Sequence, residues 1–408
     1  MGRASVAGIG SLLERSKIVI VAGSGGVGKT TIAAALGLAA ADLAGKKVLV
    51  ITVDPAKRLA DALGLVDLTS KGSQVSASDL DNAVGHHVSG RLFVAMLDAK
   101  SSWDELINRH APDVVIRQKI LSNQIYRNIS SRFVQSHDYI AMETLYELYR
   151  SNQYDLIVVD TPPSRHAIDF LDAPTKMAEF FSSKLLKWLT LPARNRLLMG
   201  VFKPFYQVAD KILGAQFLSD VAEFFLLFES MYGGFVERAK SVAGILGNHA
   251  TSFVVVSSPE FVPMKEAEYF VSALEARHLR LGQMVVNRTL PSYFRDPAAI
   301  LLAHKVQDDY ERIALEFLKK GASLSFVKDS EVSPARLDAL AERVLLEVAD
   351  SFLNFSRVAM EQADEIAKLP IDEDQITLVP HLNFDVSDLI SLGKIAGHLA
   401  IGPESSTM

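Results

Sequence analysis

The chain of 408 residues contains no cysteine. This single absence excludes disulfides, thiolate zinc sites and cysteine-held iron–sulfur clusters. Basic charge is also in short supply: 42 Lys and Arg against 48 Asp and Glu leave a formal net charge of -6. Neutralising a phosphate backbone needs a basic face, so nucleic acid is not an expected partner. The N-terminal stretch MGRASVAGIGSLLERSK lacks the apolar run of a signal peptide or membrane span, and Val6 spoils the myristoylation pattern. The expected location is the cytoplasm, with peripheral contact at a membrane left open. No repeat of fixed period and no low-complexity linker interrupts the chain, so one domain over residues 1–408 is expected.

What the chain does have is a series of short β-branched runs: KIVIVAG, KKVLVITVD, RLFVAML, YDLIVVD, SFVVVSS and GQMVVNR. Continuous apolar strands separated by helical stretches predict a mostly parallel sheet covered on both faces, the doubly wound α/β class. Two stretches break the alternation, at about 99–152 and 170–247, and they read as an α-helical subdomain inserted into the nucleotide-binding core. A helix from about 334 to 368 and a short tail complete the chain.

Residues 23–30 fit G-x-x-x-x-G-K-[ST], after an apolar strand and before the alanine-rich helix TTIAAALGLAAADLAG. This context defines a phosphate loop, in which glycines let backbone N–H groups approach the anion and the helix N-terminus adds a favourable dipole. The candidate nucleotide-binding residues are therefore Gly23, Ser24, Gly25, Gly26, Val27, Gly28, Lys29, Thr30 and Thr31. Lys29 is expected to reach the β and γ phosphates of ATP, and Thr30 to place its hydroxyl on Mg²⁺. Asp160 ends the run LIVVD and is the natural carboxylate for the metal shell, directly or through water. Asp54, at the tip of another strand, either positions the attacking water or caps the next helix, and both roles are compatible.

GSGGVGKTT, DPAKRLAD, DTPPSRHAIDFL, SSPEFVPMKEAE and VVNRTLP, in this order and across most of the chain, resemble the ArsA-type ATPases. That family includes the arsenite-pump ATPase and the ATPases that target tail-anchored proteins, within the deviant-Walker P-loop NTPases. The resemblance implies a dimer with ATP and Mg²⁺ at its interface. It implies a first switch at Asp54 and Pro55, with Asp54 and Lys29 catalytic, and a second switch running from Asp160 to Arg165 and His166. It also implies that Asn287 reads the adenine edge and that Pro380 lies near the base.

The sequence departs from this family at two points. The usual loop carries a lysine at the position of Ser24, which reaches the partner's phosphates. A cation supplied in trans is worth roughly 10³ to 10⁵ in rate, so slow hydrolysis is expected unless another cation substitutes. Lys57, Arg58 and Arg165 are the candidates within one chain, and a paralogous ATPase with an intact loop is the candidate in a heterodimer, with a homodimer equally open. The missing cysteines are the second departure. They argue against thiol-bound arsenite and against a Cys-x-x-Cys zinc clamp at a dimer interface.

The insertion holds ten of the 21 phenylalanines between residues 170 and 235. Phe217, Val221, Phe224, Phe225, Phe228, Met231, Tyr232 and Phe235 follow helical spacing, which suits either a packed core or a client groove. From Phe181 to Ala209 there is no acidic residue, while Lys184, Lys187, Arg194, Arg196 and Lys203 alternate with apolar groups, a pattern suited to an anionic surface. The expected function is an ATP-hydrolysing dimeric switch that engages a hydrophobic protein client or a membrane partner. The alternative is a transport-associated ATPase that energises a channel. A metabolic phosphotransferase would need a small-substrate motif that is not evident.

Overall fold

The computed structural model describes residues 8–53, 58–63, 72–132, 134–162, 164–182, 215–321 and 334–400. Eight strands form one sheet: β1 (Ile18–Gly23), β2 (Lys47–Thr52), β3 (Ser73–Gln74), β4 (Arg91–Met96), β5 (Leu156–Asp160), β6 (Thr251–Ser257), β7 (Leu281–Thr289) and β8 (Ile376–Pro380). Their spatial order is β3-β4-β2-β5-β1-β6-β7-β8, and every pairing is parallel except β3 with β4. The six apolar runs of the sequence are six of these strands. β3, two residues long, and β8, in the C-terminal tail, form the two edges.

Alternation along the strands divides the core. Val19, Val21, Val48, Val50, Val254 and Val256 face one side, where they pack with α1 (Ile9–Arg15), α2 (Lys29–Leu43), α3 (Arg58–Leu63), α4 (Ala77–Val84) and the last described helix, α16 (Leu389–Ala400). Ile18, Ile20, Leu49, Ile51, Ile157 and Val255 face the other side. That face is covered by α8 (Val134–Ser151), α9 (Ser164–Ser182), α11 (Tyr232–Leu246) and α12 (Phe261–Ala276). Burial on both faces is why these strands read as unbroken apolar runs. α16 closes tightly on α4: a Cβ at Gly393 would stand 2.1 Å from the Ala83 carbonyl oxygen and 2.8 Å from its carbon, both backbone atoms. Gly393→Ala is expected to cost about 1–3 kcal/mol of stability, read as a lower urea midpoint at unchanged slope.

Between β4 and β5 lie α5 (Ala99–His110), α6 (Val114–Ser122), α7 (Gln124–Arg132) and α8; between β5 and β6 lie α9, α10 (Ala215–Glu229) and α11. These helices share a core of their own, in which Trp103, Tyr126 and Tyr139 pack with Phe224, Phe228, Met231 and Phe235. The phenylalanine stripe is thus packed core at Phe224, Phe228 and Phe235. Phe217 and the basic stretch from 181 to 209 lie outside the described side chains. No described helix is long and apolar enough to cross a membrane. After β7 a 3-10 turn (Ser292–Arg295) leads into α13 (Pro297–Asp308), α14 (Tyr310–Gly321) and the 34-residue α15 (Pro334–Ala367).

Candidate phosphate-binding site

Four parallel strands, β1, β2, β5 and β7, end at one edge of the sheet, the place where open α/β folds hold their ligands. β1 runs close against β6: a Cβ at Gly23 would lie 2.0 Å from the Val256 carbonyl oxygen, so only glycine fits at this exit. The loop then leads to Gly28, which is left-handed at φ 94° and would place a Cβ 2.5 Å from Asn287 Nδ2. α2 begins at the next residue, and its N-cap residue, Gly28, has no side chain with which to cap the first turn. Its first N–H groups therefore open onto the loop, as an anion site requires.

Lys29 is 8% exposed, and its Nζ donates to the Ser24 carbonyl at 2.8 Å, spanning the loop. At the end of β5, Asp160 is 1% exposed and its Oδ2 accepts from the Thr30 hydroxyl at 2.8 Å and from Thr52 at 3.0 Å. Thr161 ties this strand end to β1 through a 2.8 Å bond to the Val21 carbonyl. Loop, helix start and carboxylate are thus held together by three strands.

Ser24 faces inward. Its hydroxyl donates at 2.6 Å to Glu266 of α12, and the residue is buried. The position that carries a lysine in the family loop here links the loop to its own chain. Asn287, also buried, donates its amide to the Val27 carbonyl at 2.8 Å. Pro380 sits at the end of β8, paired in register with Thr289 of β7. Thr31 is half-buried in the first turn of α2, and Gly25 and Gly26 are exposed at the loop's rim. Asp54, Pro55 and Lys57 lie outside the described residues. So do the side chains of Arg58, at the start of α3, and of Arg165 and His166, in the first turn of α9.

Two neighbours escaped the sequence reading. Glu266 lies within SSPEFVPMKEAE, but nothing local announces that it meets Ser24. Arg288 follows Asn287 directly, adopts a left-handed φ of 62°, and donates through Nη1 to the Gly26 carbonyl at 3.2 Å. Its position in VVNRTLP, straight after the asparagine of a strand end, is the one signal that was available.

A buried strand, a glycine loop closed by Lys29, and a threonine that meets an acidic strand end define a P-loop NTPase. The family model for anion-transporting ATPases matches residues 16–321. The chain belongs to that family. It is 27% identical over 282 residues to a protein of Aquifex aeolicus named as an arsenical pump-driving ATPase, covering 67% of this chain and 64% of that protein. It is 25% identical over 286 residues to ATPase get3 of Schizosaccharomyces japonicus, covering 69% and 77%. It is also 25% identical over 278 residues to ATPase ASNA1 homolog 2 of Paramecium tetraurelia, covering 67% and 76%. The chain thus spans slightly less than two thirds of the first of these relatives.

Proposed function

We propose that the chain binds ATP with Mg²⁺ in the loop from Gly23 to Thr31 and uses hydrolysis to switch its association with a second ATPase subunit and with an apolar protein segment. The observation that carries this reading is the joining of Lys29, Thr30 and Asp160 at the start of α2. A threonine hydroxyl and a carboxylate are hard oxygen donors of the kind Mg²⁺ takes, so the donor set fits the ion. When bound, the ion would neutralise phosphate charge. Lys29 would exchange the Ser24 carbonyl for phosphate oxygens, and the first N–H groups of α2 would donate to the same anion. Asp54 is proposed to orient the attacking water, with Pro55, Arg165 and His166 in the two switches, Asn287 and Pro380 toward the base.

Association of subunits beside the loop is supported by α12. The helix that carries Glu266 against Ser24 also leaves Phe261, Val262 and Tyr269 exposed at 63%, 64% and 68%. The second subunit is either another copy or a paralogous ATPase. Ser24 sends no charge toward either one.

The apolar partner is supported by a groove rather than by the phenylalanine stripe. Tyr293 and Phe294 of the 3-10 turn and Val344, Val348, Phe352 and Phe355 of α15 line a depression of about 540 Å³. Among the described lining residues the one charged group, Glu347, is paired with Arg343 at 2.8 Å. A groove with its charge satisfied suits an apolar helical segment, and exposed Leu340 and Val358 continue the line of Val344, Val348 and Phe355 along one face of α15, at steps of three, four and seven. The transport-linked reading rests on the basic stretch from 181 to 209, whose side chains are not described. Binding of a fluorescent apolar helical peptide, with and without nucleotide, tests the switch. Val348→Glu is expected to weaken capture by roughly tenfold or more, because a carboxylate would be buried against apolar surface. Equal binding in both nucleotide states would sink the reading, and an unaffected Val348→Glu variant would remove the groove from it.

A further inference from the structure

We propose that Arg288 is a positioning residue of the phosphate loop, acting from outside it to aim the loop's N–H groups at the anion. The proposal rests on the nucleotide occupying that loop.

Arg288 is held in an unusual place. A left-handed φ of 62° disfavours any residue with a Cβ, and an arginine gains nothing from it locally. The cause lies in the pairing of β7 with β8, whose register shifts between Asn287 and Thr289. A bulge at a strand end turns one side chain out of its expected direction. Here the guanidinium comes to the Gly26 carbonyl at 3.2 Å, while the preceding residue, Asn287, takes the Val27 carbonyl at 2.8 Å. Two consecutive residues of β7 thus hold two consecutive carbonyls of the loop.

The consequence follows from peptide geometry. The described peptide bonds are all trans, and in a trans unit the C=O and the N–H point in opposite directions. Fixing the Gly26 and Val27 carbonyls toward β7 turns the N–H groups of Val27 and Gly28 the other way. Successive N–H groups so aligned form an anion-binding concavity that requires no reorganisation when phosphate arrives. Without the two donors, the exposed Gly25–Gly26 segment has glycine's freedom to rotate its peptide planes. Arg288 also places a positive charge against the loop from within the chain, where Ser24 brings none.

The test uses the full-length protein, titrating MgADP by calorimetry and following thermal unfolding without nucleotide. Arg288→Gly separates the two roles of the residue, because glycine relieves the left-handed strain while removing the donor. The expected result is a melting temperature equal to or above that of the parent, together with roughly tenfold weaker MgADP binding, as the loss of a charge-assisted hydrogen bond implies. Arg288→Lys is expected to recover part of that affinity. Unchanged affinity in Arg288→Gly would overturn the proposal, as would a loss of affinity matched by a lower melting temperature in both variants. Lys29→Ala serves as the reference: if it leaves MgADP binding intact, the nucleotide does not occupy this loop, and the site reading falls before the role of Arg288 is reached.

Discussion

Glu143→Ala is expected to destabilise the protein by about 3–5 kcal/mol, the cost of stranding one member of a buried ion pair. Glu143 of α8 and Arg238 of α11 meet at 2.8 Å, with side chains only 2% and 12% exposed. Tyr139 donates to the same carboxylate at 2.9 Å, and the guanidinium lies 5.0 Å from the centre of the Phe235 ring. Removing the carboxylate leaves Arg238 charged within the aromatic core of the helical layer. Urea unfolding followed by Trp103 fluorescence measures the loss. The double variant Glu143→Leu with Arg238→Met is expected to recover most of it, because two apolar groups need no partner.

The same pair sets a pH dependence. Burial raises the Glu143 carboxyl above its ordinary value of 4.5, and Arg238 opposes that shift without cancelling it. The folded state therefore binds this proton more tightly than the unfolded state. The stabilisation contributed by the proton is present at low pH and is lost as pH rises past 4.5 through the raised value of the fold. Glu143→Gln is expected to remove this component of the slope.

Asp160→Asn carries the largest expected effect on chemistry. The asparagine oxygen can still accept from Thr30 and Thr52, so the strand ends keep their shape. The negative charge that a divalent cation needs is lost. Mg²⁺-dependent hydrolysis should fall by roughly a hundredfold or more, with little change in melting temperature without nucleotide. A variant that keeps parental turnover would remove Asp160 from the metal shell.

The sheet and the loop were legible in the sequence because they depend on local patterns. Continuous runs such as KIVIVAG and SFVVVSS announce strands buried on both faces, and the G-x-x-x-x-G-K-T spacing announces the loop. The helix expected from about 334 to 368 is found at Pro334–Ala367. What escaped is long-range. Ser24 meets Glu266 across 242 residues, and Arg288 meets Gly26 across 262, through a bulge set by pairing with a tail strand. ITLVP is too short and too near the C-terminus to stand out as that strand. The phenylalanine stripe had the right helical spacing, but spacing alone cannot say whether a stripe faces core or solvent. Phe224, Phe228 and Phe235 face core, whereas Val344, Val348 and Phe355 of α15 line a groove.

Steady-state ATP hydrolysis by the purified chain, scanned over protein concentration with Lys29→Ala alongside, tests the central claim most directly. The account predicts slow turnover whose rate per chain rises with concentration and disappears in Lys29→Ala. Turnover that persists in Lys29→Ala would contradict it, since the phosphate loop would then not be where ATP is hydrolysed.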